Sequence, residues 1–355
     1  VRARDDLAIV IAADPGLPSR RAAAIQDDVR ALLADLYQCD VRVSTTTSTL
    51  RTLPHGDIDT ATASAIADDY ERCDAVVVLT EVPRRTRGQP LVAEAFPDES
   101  LVVISCPTLG AWATRARIQR VLVDSVTRVV GDPPAGQEPP RRLRWSGWSE
   151  RASRGSLTLH ADTVTGAPRL VMGMVAANEP ARTAPRLSGA LAAATATGAF
   201  GVFYSSIWQM AAALSPQRLA VIAVMAMVAM VAWLMVSNRL WDRRERARLA
   251  TVILLYNLST VLTLALVVAA LFVVLFVVIL GASALVIDPG FMGQVLGEDA
   301  TVGSYVRLAL LAASMGVVAG ALGSNFDSDT DLRQLTHGQR ERARVRDDAE
   351  GAPGT

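Results

Sequence analysis

The sequence predicts an N-terminal α/β domain built on a mostly parallel, three-layer sheet, followed by an all-α transmembrane domain of four helices. Three observations predict this. Strand-like apolar runs alternate with amphipathic helical patterns from about residue 7 to residue 130. The chain is 51% hydrophobic with a mean hydropathy of +0.29, yet its apolar residues crowd into the stretch Leu187–Phe326. All 35 basic residues are arginine, and in the second half they gather between and after the apolar runs, with Arg307 the exception inside one.

In order along the chain, Leu7–Ala12 is a short apolar run broken by Asp14-Pro15-Gly16-Leu17-Pro18. Ser19 can then cap a helix reaching Tyr37, with Ile25, Val29, Leu32, Leu33 and Leu36 on one face. Val41–Ser44 reads as a second strand, and Asp57 is placed to cap a helix ending near Tyr70. Ala75–Leu79 and Leu101–Ile104 are continuous apolar runs, suited to strands buried on both faces, and Leu91–Ala95 reads as a short edge strand between them. Thr114–Val130 closes the unit as a helix with Ile118, Val121, Leu122, Val126 and Val129 facing inward.

The Pro/Gly-rich stretch 131–140 reads as a linker or long loop. Arg141, Arg142 and Arg144 lie beside Trp145 and Trp148. Arginines next to indoles suit a membrane–water interface; the other reading is a solvated loop whose tryptophans pack back on the domain. Ser156–Ala161 and Arg169–Ala176 suggest a hairpin around Thr165-Gly166-Ala167, or further strands of the first domain. The resulting division is a cytosolic α/β domain over 1–140, and a juxtamembrane linker or hairpin over 141–186 that in one reading completes it. The four-helix membrane domain follows over 187–326, then a charged cytosolic tail over 327–355.

No charge occurs between Arg186 and Arg218, room for a span of about 20 residues, and Leu219–Asn238 supplies a second. Leu249–Ile287 is uncharged and carries no Gly or Pro before Gly281, which predicts one long helix rather than a hairpin. The fourth span covers about Gly303 to Asn325, with Arg307 placed to snorkel from its first turn. Arginines crowd the loop after the second span and the tail, while the loop Asp288–Val302 has three acidic residues and no basic one. The positive-inside rule then predicts a multi-pass protein of the plasma membrane with both termini cytoplasmic. The charged start Val1–Asp6, running straight into a strand, predicts no signal peptide before the domain.

Composition also bears on function. The 35 acidic residues cancel the 35 basic ones, which excludes a broadly cationic nucleic-acid binder. Cys39, Cys73 and Cys106 are scattered and fit reduced thiols rather than a disulfide framework. Ligands of doubly wound sheets sit beyond the carboxyl ends of the strands. That rim would present Asp14, Ser19, Thr80, Glu81, Arg84, Arg85, Arg87, Ser105 and Thr108, and three close arginines suit a phosphate or carboxylate ligand. The contrary reading is a solvated or lipid-touching loop.

Neither G-x-G-x-x-G nor a P-loop is present, His55, His160 and His337 lack metal-ligand spacing, and no G-x-S-x-G elbow occurs. No cofactor or metal is assigned. The spans hold no ionisable group at mid-depth, as an ion-coupled transporter usually requires. Ala190, Ala194 and Gly198 form one small-residue ridge, and Ala312, Gly316, Gly320 and Ser324 another; both mark close helix packing, within the chain or between copies as a homo-oligomer.

The segments 79–92 (LTEVPRRTRGQPLV) and 169–180 (RLVMGMVAANEP), with 185–194 (PRLSGALAAA), resemble a family of uncharacterised polytopic membrane proteins of high-GC Gram-positive bacteria. The resemblance implies a cytosolic N-terminal α/β domain on a membrane anchor, and it transfers no active residues. The expected function is a ligand-responsive or scaffold module at the inner membrane face, with the lipid bilayer and a small anionic ligand as partners. The alternatives are a membrane-bound enzyme acting on an anionic or nucleotide substrate, and a transporter or channel gated by the domain.

Overall fold

The structure is a computed structural model of the 355-residue chain. It describes residues 6–48, 65–86, 89–113, 115–134, 137, 148–151, 155–161, 163–180, 188–241 and 250–323. The chain divides into two compact units with a boundary after Asn178.

The first unit opens with β1 (Asp6–Ala13), α1 (Leu17–Tyr37) and β2 (Asp40–Thr47). In β1, Leu7, Ile9, Ile11 and Ala13 face α1 and α3 (Arg115–Val130), while Val10 and Ala12 join a second apolar cluster with Ile66, Val76, Val78 and Val103. That alternation, with both faces buried, is what a central strand demands. Beyond β2 come β3 (Ala75–Thr80), the two-residue β4 (Arg85–Thr86), β5 (Gln89–Phe96), β6 (Leu101–Ser105) and the short α2 (Cys106–Leu109). β7 (Trp148–Arg151), β8 (Ser156–His160) and α4 (Thr163–Ala177) follow.

The strand order is β2-β1-β3-β6-β5-β8-β7, with β4 paired to β5. Only the β2-β1-β3-β6 half is parallel; β5, β8, β7 and β4 all pair antiparallel. The sheet is therefore mixed, which corrects the expectation of a mostly parallel one. The reason is the connection between β5 and β6. It is a single turn at Pro97–Ser100, too short for the crossover that parallel neighbours need. Leu91–Ala95 is likewise an inner strand rather than an edge one, because β8 covers its far side. The expected hairpin over 156–176 is instead strand β8 followed by helix α4. A Cβ on Gly173 would collide with the Pro107 carbonyl, so α4 can lie directly on α2 only because that position lacks a side chain.

The second unit comprises α5 (Ser188–Phe203), α6 (Ser205–Ala213), α7 (Pro216–Ser237), α8 (Ala250–Val286), α9 (Pro289–Leu296) and α10 (Val302–Gly323). Three of these, α7, α8 and α10, are long and apolar enough to cross a membrane; α5 and α6 make a fourth span only if counted together across an 86° bend. At the bend Tyr204 takes an extended conformation, and the indole Nε1 of Trp208 donates to the Gly201 carbonyl at 2.9 Å. The expected first span is thus two helices that meet at a bend. The 37 residues of α8 form one helix, about 56 Å long at 1.5 Å per residue. Val221, Val224, Met225 and Val228 on α7 and Val273, Val274, Val277 and Val278 on α8 stand exposed, an apolar surface suited to lipid.

The two small-residue ridges meet each other inside the chain. A Cβ on Gly316 would stand 2.5 Å from the Ala194 carbonyl oxygen, and one on Gly320 2.7 Å from that of Ala190. Arg307 donates from Nη1 to the Ala212 carbonyl at the end of α6, at 3.3 Å. Its cation meets a carbonyl-rich helix end, as the macrodipole favours.

Candidate functional site

Strand order reverses beside β1, since β2 lies on one side of it and β3 on the other. In open α/β sheets the crevice at such a switch point is where ligands bind. Asp14 leaves the carboxyl end of β1 there, Thr80 ends β3, and Ser105 ends β6. The structure does bring these residues together. It brings them together as partners of one another.

Asp14 Oδ2 accepts from the Thr80 hydroxyl at 2.7 Å and from the Glu81 amide at 2.9 Å. Thr80 Oγ1 accepts in turn from the Val82 amide at 3.1 Å, and the Ser105 hydroxyl donates to the Val82 carbonyl at 2.9 Å. Thr108 donates to Ser105 Oγ at 3.1 Å. Asp14, Thr80, Glu81, Ser105 and Thr108 are all buried. The network stitches three strand ends and α2 together, and each bond is strengthened by its dry surroundings.

The start of α1 is closed in the same way. Ser19 donates its hydroxyl to the Gly16 carbonyl at 3.0 Å and its amide to the Asp14 carbonyl at 3.1 Å; Pro18 has no amide to offer. A phosphate cradle needs first-turn amides aimed outward, and here the Ser19 amide is spent on the chain itself. A hollow of about 130 Å³ lies at the opposite rim, beside Ala75, Val76 and Leu101 at the strand starts.

Arg84 also departs from the expected anion-holding loop. Its guanidinium turns inward and pairs with Glu94 in the middle of β5, both residues being buried. Glu94 Oε1 accepts a further bond from the Ser156 hydroxyl at 2.8 Å, which ties β5 to the start of β8. Arg84 Nη1 has no hydrogen-bond partner among the described residues. Arg85 lies half-buried in β4, and Arg87 lies outside the described residues.

Cys106 sits fully buried at the start of α2, and burial pushes its thiol up to about 11, against the opposing pull of Arg21. Burial also raises Cys73. A thiol held protonated at neutral pH is a poor nucleophile. Among the described residues no group of three His, Cys, Asp or Glu side chains is placed to hold a metal.

Of the residues expected at a membrane interface, Arg141, Arg142, Arg144 and Trp145 lie outside the described residues. Trp148 packs on the domain. Its Nε1 donates to Asp124 at 2.8 Å, and the Arg128 guanidinium stands 5.9 Å from its ring centre.

Four residues escaped the sequence reading. Glu94 is a lone charge in an otherwise apolar strand, a signal that was available in Leu91-Val92-Ala93-Glu94-Ala95-Phe96. Asp124 and Arg21 carry no local signal, because their partners lie far away in sequence. Trp112 is a lone aromatic in a small-residue loop. Comparison of the chain with protein-family models, with curated proteins and with solved structures finds no match.

Proposed function

We propose that this is a polytopic protein of the plasma membrane whose α/β domain works on the cytoplasmic side as a scaffold module rather than as a catalyst. One observation carries the reading: the rim where such a sheet would take a ligand is closed by its own buried side chains, from Asp14 through Thr80 and Ser105 to Thr108. A rim whose polar groups satisfy one another gains rigidity, and an incoming ligand would have to break that network. Orientation rests on the arginine blocks and the acidic 288–302 loop.

A ligand-responsive role is the second reading, and the reversal of strand order beside β1 favours it. Thermal unfolding of the detergent-solubilised full chain with nucleotides, inorganic phosphate and sugar phosphates separates the two. A ligand at 100 times its Kd adds about 2.7 kcal/mol of stability, a shift of several degrees. The scaffold reading expects no saturable shift with any of them; one that disappears in Asp14→Ala establishes the ligand-responsive reading. For orientation, a cysteine introduced by Glu298→Cys is expected to react with an impermeant maleimide in intact cells, and Arg30→Cys to react only after lysis. The reverse pattern inverts the topology.

A further inference from the structure

We infer that the loop Gly110–Ala113 of the α/β domain is a docking surface for anionic phospholipid headgroups, with Trp112 as its anchor. Trp112 is 79% exposed, and it is the only large hydrophobic side chain exposed among the described residues of this unit. An indole left in water on an otherwise well-covered domain is an unmet preference. Its flat apolar body and single N–H donor suit the headgroup depth of a bilayer.

The loop is held in place rather than loose. Gly110 takes φ +96°, where a side chain would be strained, and its amide donates to the Pro107 carbonyl at 3.0 Å. Arg21 of α1 donates to the carbonyls of Cys106 and Gly110, both at 3.4 Å, and Arg117 of α3 to that of Leu109 at 3.2 Å. Arg169 of α4 lies against Gly110 so closely that a Cβ there would stand 2.8 Å from its Cγ. Three helices therefore each bring an arginine to the base of the loop that presents the indole, and Arg115 stands exposed just beyond it. Residues 106–117 contain no acidic side chain. Arg115 is therefore the exposed cation beside Trp112 where a phosphate would meet it.

One further point favours lipid over a protein partner. A lone indole among Gly110, Ala111 and Ala113 offers little area, whereas a stable protein interface buries about 800 Å² on each side. A headgroup anchor needs one ring and a few cations.

The inference rests on the membrane reading of the second unit, and insertion of the full chain into nanodiscs reports on that reading separately. The test compares nanodiscs of phosphatidylcholine with nanodiscs containing phosphatidylglycerol, each doped with a headgroup nitroxide. The Trp112 signal is isolated as the difference between the wild-type chain and Trp112→Phe. Docking predicts stronger nitroxide quenching of that signal in the anionic discs, with the docked fraction falling roughly fivefold in Arg115→Gln. It also predicts slower amide exchange over residues 110–117 of the wild-type chain in anionic discs, which requires no variant. Equal quenching by aqueous acrylamide and equal exchange in both lipids would overturn the inference. So would protection that develops only when a soluble protein is added.

Discussion

Arg84 and Glu94 form an ion pair inside the α/β domain, with 4% and 0% of their side chains exposed. Glu94 lies in β5 between β6 and β8, and Arg84 reaches it from the turn after β3. Charges so far from water are stable only together. Glu94→Gln is expected to destabilise the domain by about 3–5 kcal/mol, because it strands the guanidinium. Replacing both, as Arg84→Met with Glu94→Leu, is expected to recover most of the loss. Denaturant unfolding of the two variants measures this. An Arg84 acting chiefly on an external anion would show the opposite: little loss of stability in Glu94→Gln.

Cys106 gives the pH-dependent expectation. Its folded pKa is raised by burial from 9.0 to about 11, so the folded state holds the proton more tightly than the unfolded chain. The associated stability is fully present below about pH 9 and is lost as pH rises from about 9 to 11. Unfolding midpoints measured across that range should fall more steeply for the wild type than for Cys106→Ala. At pH 8 an alkylating reagent should modify Cys106 only under denaturing conditions.

Buried strand runs and helix periodicity were legible because they are local. The strands β1, β3 and β6, the helices α1 and α3, and the long α8 all coincide with apolar runs or stripes in the sequence. The small-residue ridges were legible for the same reason, and their mutual contact follows from shape. What was not legible depends on residues distant in sequence. β5 reads as an edge strand until β8, some sixty residues later, pairs with it. Gly166 and Pro168 look like turn residues, yet they sit in α4. The bend at Tyr204 has neither Gly nor Pro at its centre. The rim residues Asp14, Thr80, Glu81, Ser105 and Thr108 were found from the fold rule, but that they bond to one another rather than face solvent depends on side-chain geometry that no spacing encodes.

The membrane unit supplies a paired glycine test. Gly316→Ala would force a Cβ to 2.5 Å from the Ala194 carbonyl and 2.8 Å from Leu275, so α5 and α10 must separate. An overpacking cost of about 1–3 kcal/mol is expected. Gly281→Ala, on α8, meets nothing within 4 Å and is expected to be neutral or slightly stabilising. Thermal unfolding of the two variants in the same detergent gives the comparison; equal behaviour would mean that α5 and α10 do not pack through this ridge.

The closed rim is tested most directly by amide exchange at Glu81 and Val82, whose N–H groups donate to Asp14 Oδ2 and Thr80 Oγ1. In the full chain in nanodiscs, both amides are expected to exchange slowly. Their rates should not change when nucleotides, inorganic phosphate and sugar phosphates are added, and should rise in Asp14→Ala. Fast exchange at both positions, or slowing on addition of one of those ligands, would contradict a scaffold with a closed rim.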